Sequence, residues 1–336
     1  MRSRVLLAQP VHDEVRQRLA QVADVDMHSG PEPLAGPVLA QRLATAQALM
    51  GFMTERVDAA LLNASPALRI VAAALKGSDN YDVQACSEAG VWLSIVPDLL
   101  TAPTAELAVG LAIGLARHMR QGDTLVRSGG FSGWRPQLYG RGLQGSTVAL
   151  LGMGALGQAI CARLRPFGCR LLGVDPVMRH LDGVEQLALD EALAAADFVI
   201  VALPLTPATG HLVDSRRIAC APRGALWVNV GRGSVVDEDA MAEALQSGQA
   251  GGYAADVFAF EDWADPGRPY NVSFALRART HTLFTPHVGS AVATVRLAIE
   301  HRAADNILAV LAGGEPPDAV NRPQLRSKAE IAERGA

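Results

Sequence analysis

Three side chains in this sequence have the types that acid–base chemistry on a small anion requires. Arg232 stands between two glycines behind an apolar run, in Val228-Asn229-Val230-Gly231-Arg232-Gly233-Ser234-Val235-Val236-Asp237. Glu261 follows Asp256-Val257-Phe258, and His287 lies in Thr285-Pro286-His287-Val288-Gly289-Ser290. A guanidinium fork matches a carboxylate or a tetrahedral oxyanion. An imidazole exchanges a proton near neutral pH without a large shift, and a carboxylate beside it fixes the ring and stabilises the imidazolium. Taken singly, each has a plain reading as well: a surface charge after a strand, a solvated acidic turn with Asp262, a loop histidine. The other histidines (His12, His28, His118, His180, His211, His281 and His301) fall into no metal-ligand spacing, so no metal is expected.

A second constellation supplies what proton transfer alone would lack. Gly152-Met153-Gly154-Ala155-Leu156-Gly157 follows the apolar run Val148-Ala149-Leu150-Leu151 and opens a helical segment, Ala155 to Leu164. In that context a GxGxxG predicts a dinucleotide site. Gly152 permits the tight turn, Gly154 lets the backbone approach a pyrophosphate, and Gly157 allows close helix-to-strand packing, with the helix N-terminus facing the anion. Asp175 comes 18 residues after Gly157 (175 − 157), where an acidic residue accepts hydrogen bonds from the adenosine ribose and repels a 2′-phosphate. NAD is therefore the expected cofactor. Arg179 and His180 lie close enough in sequence to soften that preference.

These residues need elements to hold them. Short apolar runs alternate with helix-like segments from the start: Arg4 to Ala8 then Val11 to Gln21, Ala48 to Met53 then Asp58 to Asn63, Arg69 to Leu75 then Val83 to Ala89. Such alternation predicts a parallel sheet. After an amphipathic segment from Ala102 to His118 and a loop containing Trp134 and Tyr139, the series restarts. Six strands are expected there, at Thr147–Leu151, Arg170–Val174, Phe198–Ala202, Ala225–Val230, Gly252–Ala255 and Thr282–Phe284. The segment Val292 to Leu311 has no following strands and is expected to return to the first domain. The expected fold is α/β, with a flavodoxin-like substrate domain (1–99 and 291–336), a Rossmann-type cofactor domain (100–290), and the chemistry in the cleft. Residues Gln324 to Ala336 read as a loose polar tail.

Composition narrows the function classes. The 336 residues are 49% hydrophobic, 19% charged and only 5% aromatic, as expected for helices packed on parallel strands. A net charge of −4 provides no field to attract nucleic acid or an acidic membrane. Cys86, Cys161, Cys169 and Cys220 form no CxxC, and no segment suits a signal peptide or a membrane span, so a cytoplasmic protein with reduced thiols is expected.

Taken together and in their order, the Arg232, Asp256–Glu261 and His287 motifs resemble those of the D-isomer-specific 2-hydroxyacid dehydrogenase family. The resemblance implies that Arg232 binds the substrate's anionic group, His287 is the acid/base and Glu261 holds it. It also implies cofactor contacts at Gly152 through Gly157, Asp175, Pro176, Leu203, Pro204, Thr209, Val230, Arg232, Asp256 and His287, and a homodimer built from the cofactor domains around the Ala102–His118 helix.

Within that family the chain resembles the phosphite (phosphonate) dehydrogenases over nearly its whole length. The similarity lies in Leu75-Lys76-Gly77-Ser78-Asp79-Asn80-Tyr81-Asp82, in 96–106, in 127–140 and in Gly289-Ser290-Ala291-Val292 with Arg296. Most family members have a small or apolar residue in place of Lys76. A second cation beside Arg232 suits phosphite, largely a dianion at neutral pH, better than the monoanion of a hydroxy acid. The resemblance then implies oxidation of phosphite to phosphate, with Lys76, Met53, Gly77, Trp134, Tyr139, Ser290 and Arg296 around the substrate. As bare residues, Met53 and Trp134 read more often as core, Tyr139 equally as interface and Arg296 as a second cation or a helix-face charge, while a surface ion pair is the lesser reading of Lys76. The alternatives are a plain 2-hydroxyacid dehydrogenase acting on glycerate, glyoxylate, hydroxypyruvate or phosphoglycerate, and a cofactor-binding regulator, which would need none of Arg232, Glu261 and His287. One departure is Trp227, an indole that must find room in the sheet or at a surface.

Overall fold

The computed structural model describes residues 2–265 and 267–323, so the C-terminal tail lies outside the described residues. The chain divides into two compact units. The first contains Met1–Leu100, a short stretch from Trp263 and the chain from Ala291 onward; the second contains Thr101–Asp262 and Gly267–Ser290.

In the first unit, strands β1 (Ser3–Leu7), β2 (Ala23–Met27), β3 (Ala48–Gly51), β4 (Ile70–Ala73) and β5 (Trp92–Ser94) form one parallel sheet in the order β2-β1-β3-β4-β5. That is the flavodoxin-like order, which reverses between β1 and β3. β3 and β4 are buried at every position, as expected of central strands covered by helices on both faces. One of those helices is Ala293–Leu311. Its Ile299, Ala303, Ile307 and Val310, spaced near the helical period, enter the same core as Leu6, Leu49 and Ile70.

In the second unit, strands β6 (Thr147–Leu151), β7 (Arg170–Val174), β8 (Val184–Gln186), β9 (Phe198–Val201), β10 (Ala225–Asn229), β11 (Ala250–Ala255) and β12 (Thr282–Phe284) form a parallel sheet in the order β12-β11-β10-β9-β6-β7-β8. The Rossmann order is present, reversing between β6 and β9. The helix Thr101–Ala116 packs on the helix Ala155–Leu164 and on β10 and β11, which explains why it is apolar on nearly every side. Among the described residues no helix is long and apolar enough to cross a membrane.

Several elements carry no signal in the sequence, each for a physical reason. The second sheet has seven strands, not six: β8 is a three-residue edge strand without a buried residue. β2 is also an edge, and its alternating Asp24 and Asp26 give no apolar run. Asp26 accepts hydrogen bonds from Arg42 and Arg4, which hold its carboxyl below the usual range. β5 is only three residues long. The helix Met119–Arg127, within a stretch read as loop, buries none of its side chains. Trp227 lies in the interior of the second sheet, 1% exposed, and its Nε1 has no partner among the described residues.

Candidate active site

The second unit brings most of the singled-out residues to the carboxyl ends of its strands. β6 is followed by Gly152, whose backbone has φ +98, a conformation open to glycine, and a Cβ at Gly157 would come within 1.9 Å of the Gly152 carbonyl oxygen. The strand and the helix Ala155–Leu164 can meet this closely only without side chains at these positions. At Gly154, the N-cap of that helix, nothing lies within 4 Å of an added Cβ, and Gly154 and Ala155 are exposed. That open space at a helix N-terminus fits the pyrophosphate of a dinucleotide.

At the end of β7, the Asp175 carboxylate accepts hydrogen bonds from the Met153 and Val177 amides, both at 2.9 Å. It therefore ties the turn of the glycine fingerprint to the loop after β7. Arg179 Nε lies 3.8 Å from Asp175. Gln186, on the unpredicted edge strand β8, holds the same loop. It donates to the carbonyls of Asp175 and Val177 and accepts from the Arg179 amide. Pro176 is exposed beside it. Leu203, Pro204 and Thr209 form one turn after β9, where the Thr209 hydroxyl donates to the Pro204 carbonyl at 2.7 Å. Val230 continues the ladder from β10 through its amide to Val201.

Arg232 is positioned by a buried amide. Asn229, fully buried at the end of β10, donates from Nδ2 to the Arg232 carbonyl and accepts the Gly231 amide through Oδ1. The turn after Arg232 is held in turn by Asp262, whose carboxylate accepts the Ser234 amide at 2.9 Å.

The imidazole and its carboxylate partner stand in the same unit. His287 Nδ1 and Glu261 Oε2 are 2.7 Å apart, and the other Glu261 oxygen accepts the Phe258 amide at 2.9 Å. The carboxylate thus bridges a fixed backbone group and the ring, leaving Nε2 as the nitrogen available for proton exchange. His287 has φ +53, in the left-handed region that a non-glycine residue occupies only when its surroundings impose it. Asp256 imposes it. Its carboxylate, 2% exposed, accepts from the Thr285 hydroxyl (2.6 Å) and from the amides of Val288 (2.8 Å) and Gly289 (2.9 Å), while its carbonyl accepts the His287 amide. Burial pushes the Asp256 carboxyl up, and these donors pull the other way. Ser290 follows, half-buried.

In the first unit, Met53 and the Lys76–Gly77 pair follow β3 and β4. Asn80 Nδ2 donates to the Met53 carbonyl at 2.7 Å, and the buried Tyr81 hydroxyl donates to the Phe52 carbonyl, so the two strand-end loops are joined. The Arg296 guanidinium lies 5.8 Å from the centre of the Phe52 ring. Lys76 is half-buried, and that burial pushes its ammonium below the usual range, with Asp98 opposing. Trp134 and Tyr139 are 85% and 79% exposed. Asn229, Asp262, Gln186, Phe52 and Asn80 are positioning residues that sequence reasoning did not single out. Their only signal was proximity to a motif.

With this geometry in place, comparison with known proteins is informative. Residues 109–289 match the family described as D-isomer specific 2-hydroxyacid dehydrogenase, NAD binding domain. A glyoxylate reductase of Thermococcus onnurineus is 32% identical over 97% of this chain and 98% of its own length. Among solved structures, a Thermus thermophilus protein superposes with a TM-score of 0.88 at 34% identity, covering 94% of this chain and 99% of its own. An NADPH-dependent glyoxylate/hydroxypyruvate reductase of Sinorhizobium meliloti, solved with citrate, gives 0.83 at 28% identity, covering 97% of this chain and all of its own.

Proposed function

The chain belongs to the D-isomer specific 2-hydroxyacid dehydrogenase family and is an NAD-binding oxidoreductase; from that premise we propose that it interconverts a small 2-oxoacid, of the glyoxylate or hydroxypyruvate type, with its 2-hydroxyacid. The observation that carries this reading is the 2.7 Å His287–Glu261 pair in the same unit as the glycine fingerprint and Arg232. Gly152 through Gly157 and Asp175 would hold the cofactor. NADH, when bound, supplies the hydride. Arg232 holds the substrate carboxylate with a charged fork. His287 gives its Nε2 proton to the carbonyl oxygen in reduction and takes it back in oxidation, while Glu261 stabilises the imidazolium and keeps the ring oriented. The relatives' names, glyoxylate reductase, support this substrate class.

Phosphite oxidation, the reaction implied by the sequence resemblance, becomes the second reading, since none of the relatives described above bears that name. Lys76 favours it, as a half-buried second cation at the end of β4. In balanced form, phosphite, NAD⁺ and water give phosphate, NADH and a proton. His287 would then take the proton from the attacking water. One assay separates the two readings: purified protein is given NADH with glyoxylate or hydroxypyruvate, and NAD⁺ with phosphite. Oxoacid reduction without phosphite turnover supports the first reading, NADH formed in step with phosphate the second, and neither activity would overturn both.

Lys76→Ala sharpens the distinction. A charged hydrogen bond of about 1.5–3 kcal/mol corresponds to a loss of roughly 10- to 150-fold in kcat/KM. That loss is expected on phosphite. On a monoanionic oxoacid, whose one charge Arg232 holds, the change stays within about twofold.

We also propose a homodimer, supported by the exposed apolar side chains Met119, Val126, Phe131, Trp134 and Tyr139 between the helix Thr101–Ala116 and β6. Light scattering should give twice the chain mass; the mass of a single chain at micromolar concentration would refute it.

A further inference from the structure

We infer that Glu238 is a positioning residue for the Glu261–His287 pair, fixing the short turn that carries Glu261. The inference rests on the proposed acid–base role of His287.

Glu238 is the first residue of the helix Glu238–Ser247, a position where a carboxylate commonly serves its own helix. Here Asp237 already caps that helix, accepting the Asp239 and Ala240 amides. Glu238 is thereby available for another element. Its Oε1 accepts the Ala259 amide at 2.8 Å, across 21 residues of sequence. Ala259 opens the turn Ala259–Glu261, and the amide just before it, that of Phe258, is bound by Glu261 itself. Two adjacent backbone donors are thus divided between two carboxylates: Glu238 anchors the turn, and Glu261 reaches from it to His287 Nδ1.

Burial pushes the Glu238 carboxyl up first, the Ala259 amide pulls it down next, and the neighbouring carboxylates of Asp262, Asp239 and Glu261 push it up after that.

Glu238→Gln keeps an acceptor for the Ala259 amide and removes only the charge; Glu238→Ala removes both. In E238Q, where the acceptor is kept, kcat should stay within about twofold of the parent. E238A should lose roughly tenfold in kcat, with NADH affinity unchanged, as expected for a displaced acid–base pair. Proton NMR of the His287 Nδ1–H, assigned by its absence in His287→Asn, reads the Glu261 contact even if glyoxylate proves to be the wrong substrate: the resonance should change in E238A and return in E238Q. An unchanged Nδ1–H resonance in E238A, or an equal loss of kcat in both variants, would overturn the inference, whatever the enzyme's substrate.

Discussion

Replacing His287 with alanine should lower turnover by roughly 10²- to 10⁴-fold, the contribution of a positioned general acid–base, and leave NADH binding intact. The reasoning is local. Glu261 Oε2 lies 2.7 Å from Nδ1, so the ring's other nitrogen is the one left to serve the substrate, and no second imidazole shares this pair among the described residues. Because His287 has a left-handed backbone, alanine brings a conformational cost of its own. Asparagine tolerates that conformation better, so His287→Asn serves as the control: both variants should lose turnover alike. Fluorescence titration with NADH then separates chemistry from binding. Turnover retained in either variant would remove His287 from the acid–base role.

The second large effect is expected at Asp256, through stability as well as activity. Its buried carboxylate satisfies the Thr285 hydroxyl and the Val288 and Gly289 amides, which in Asp256→Ala would be left without an acceptor in a water-poor site. Removing a buried charged acceptor of this kind costs about 3–5 kcal/mol. In a unit of this size that lowers Tm by roughly 6–20 °C, which calorimetry measures. Turnover at low temperature should fall as well, since the loop no longer holds His287 in its left-handed conformation. Asp256→Asn, which keeps one acceptor oxygen, should lie between the two. A Tm within about 2 °C of the parent, well below the shift expected for a core polar network, would show that the loop is held by other means.

Several features were legible without coordinates because they are local. Val148 to Leu151 is apolar at every position, and the glycines after it fall at the spacing of a strand–turn–helix. Both properties are read directly along the chain. The central strands β1, β3, β4, β6, β9 and β10 show in the same way, since burial on both faces requires a continuous apolar run. The edge strands β2 and β8 do not. One side of an edge strand needs no neighbour, so it tolerates Asp24, Asp26 and Glu185, and its existence depends on a partner strand far away in sequence.

The candidate site divides along the same line. The sequence by itself determined which groups are available: a guanidinium after β10, a carboxylate after β11, an imidazole after β12 and an acid after β7, since residue type and position after a strand are properties of the chain. Only the tertiary structure decided what each group does with its hydrogen-bonding capacity. Asp256, implied as a cofactor contact, has its carboxylate committed to the His287 loop, and Asp175 has its own tied to Met153 and Val177. Asn229, Asp262 and Glu238 emerge as supports only in three dimensions. The physical reason is that a hydrogen bond requires its two atoms within about 3 Å at a suitable angle. Parallel strands joined by long crossovers bring together residues such as 256 with 288 and 238 with 259 by rules of packing that no spacing in the sequence encodes.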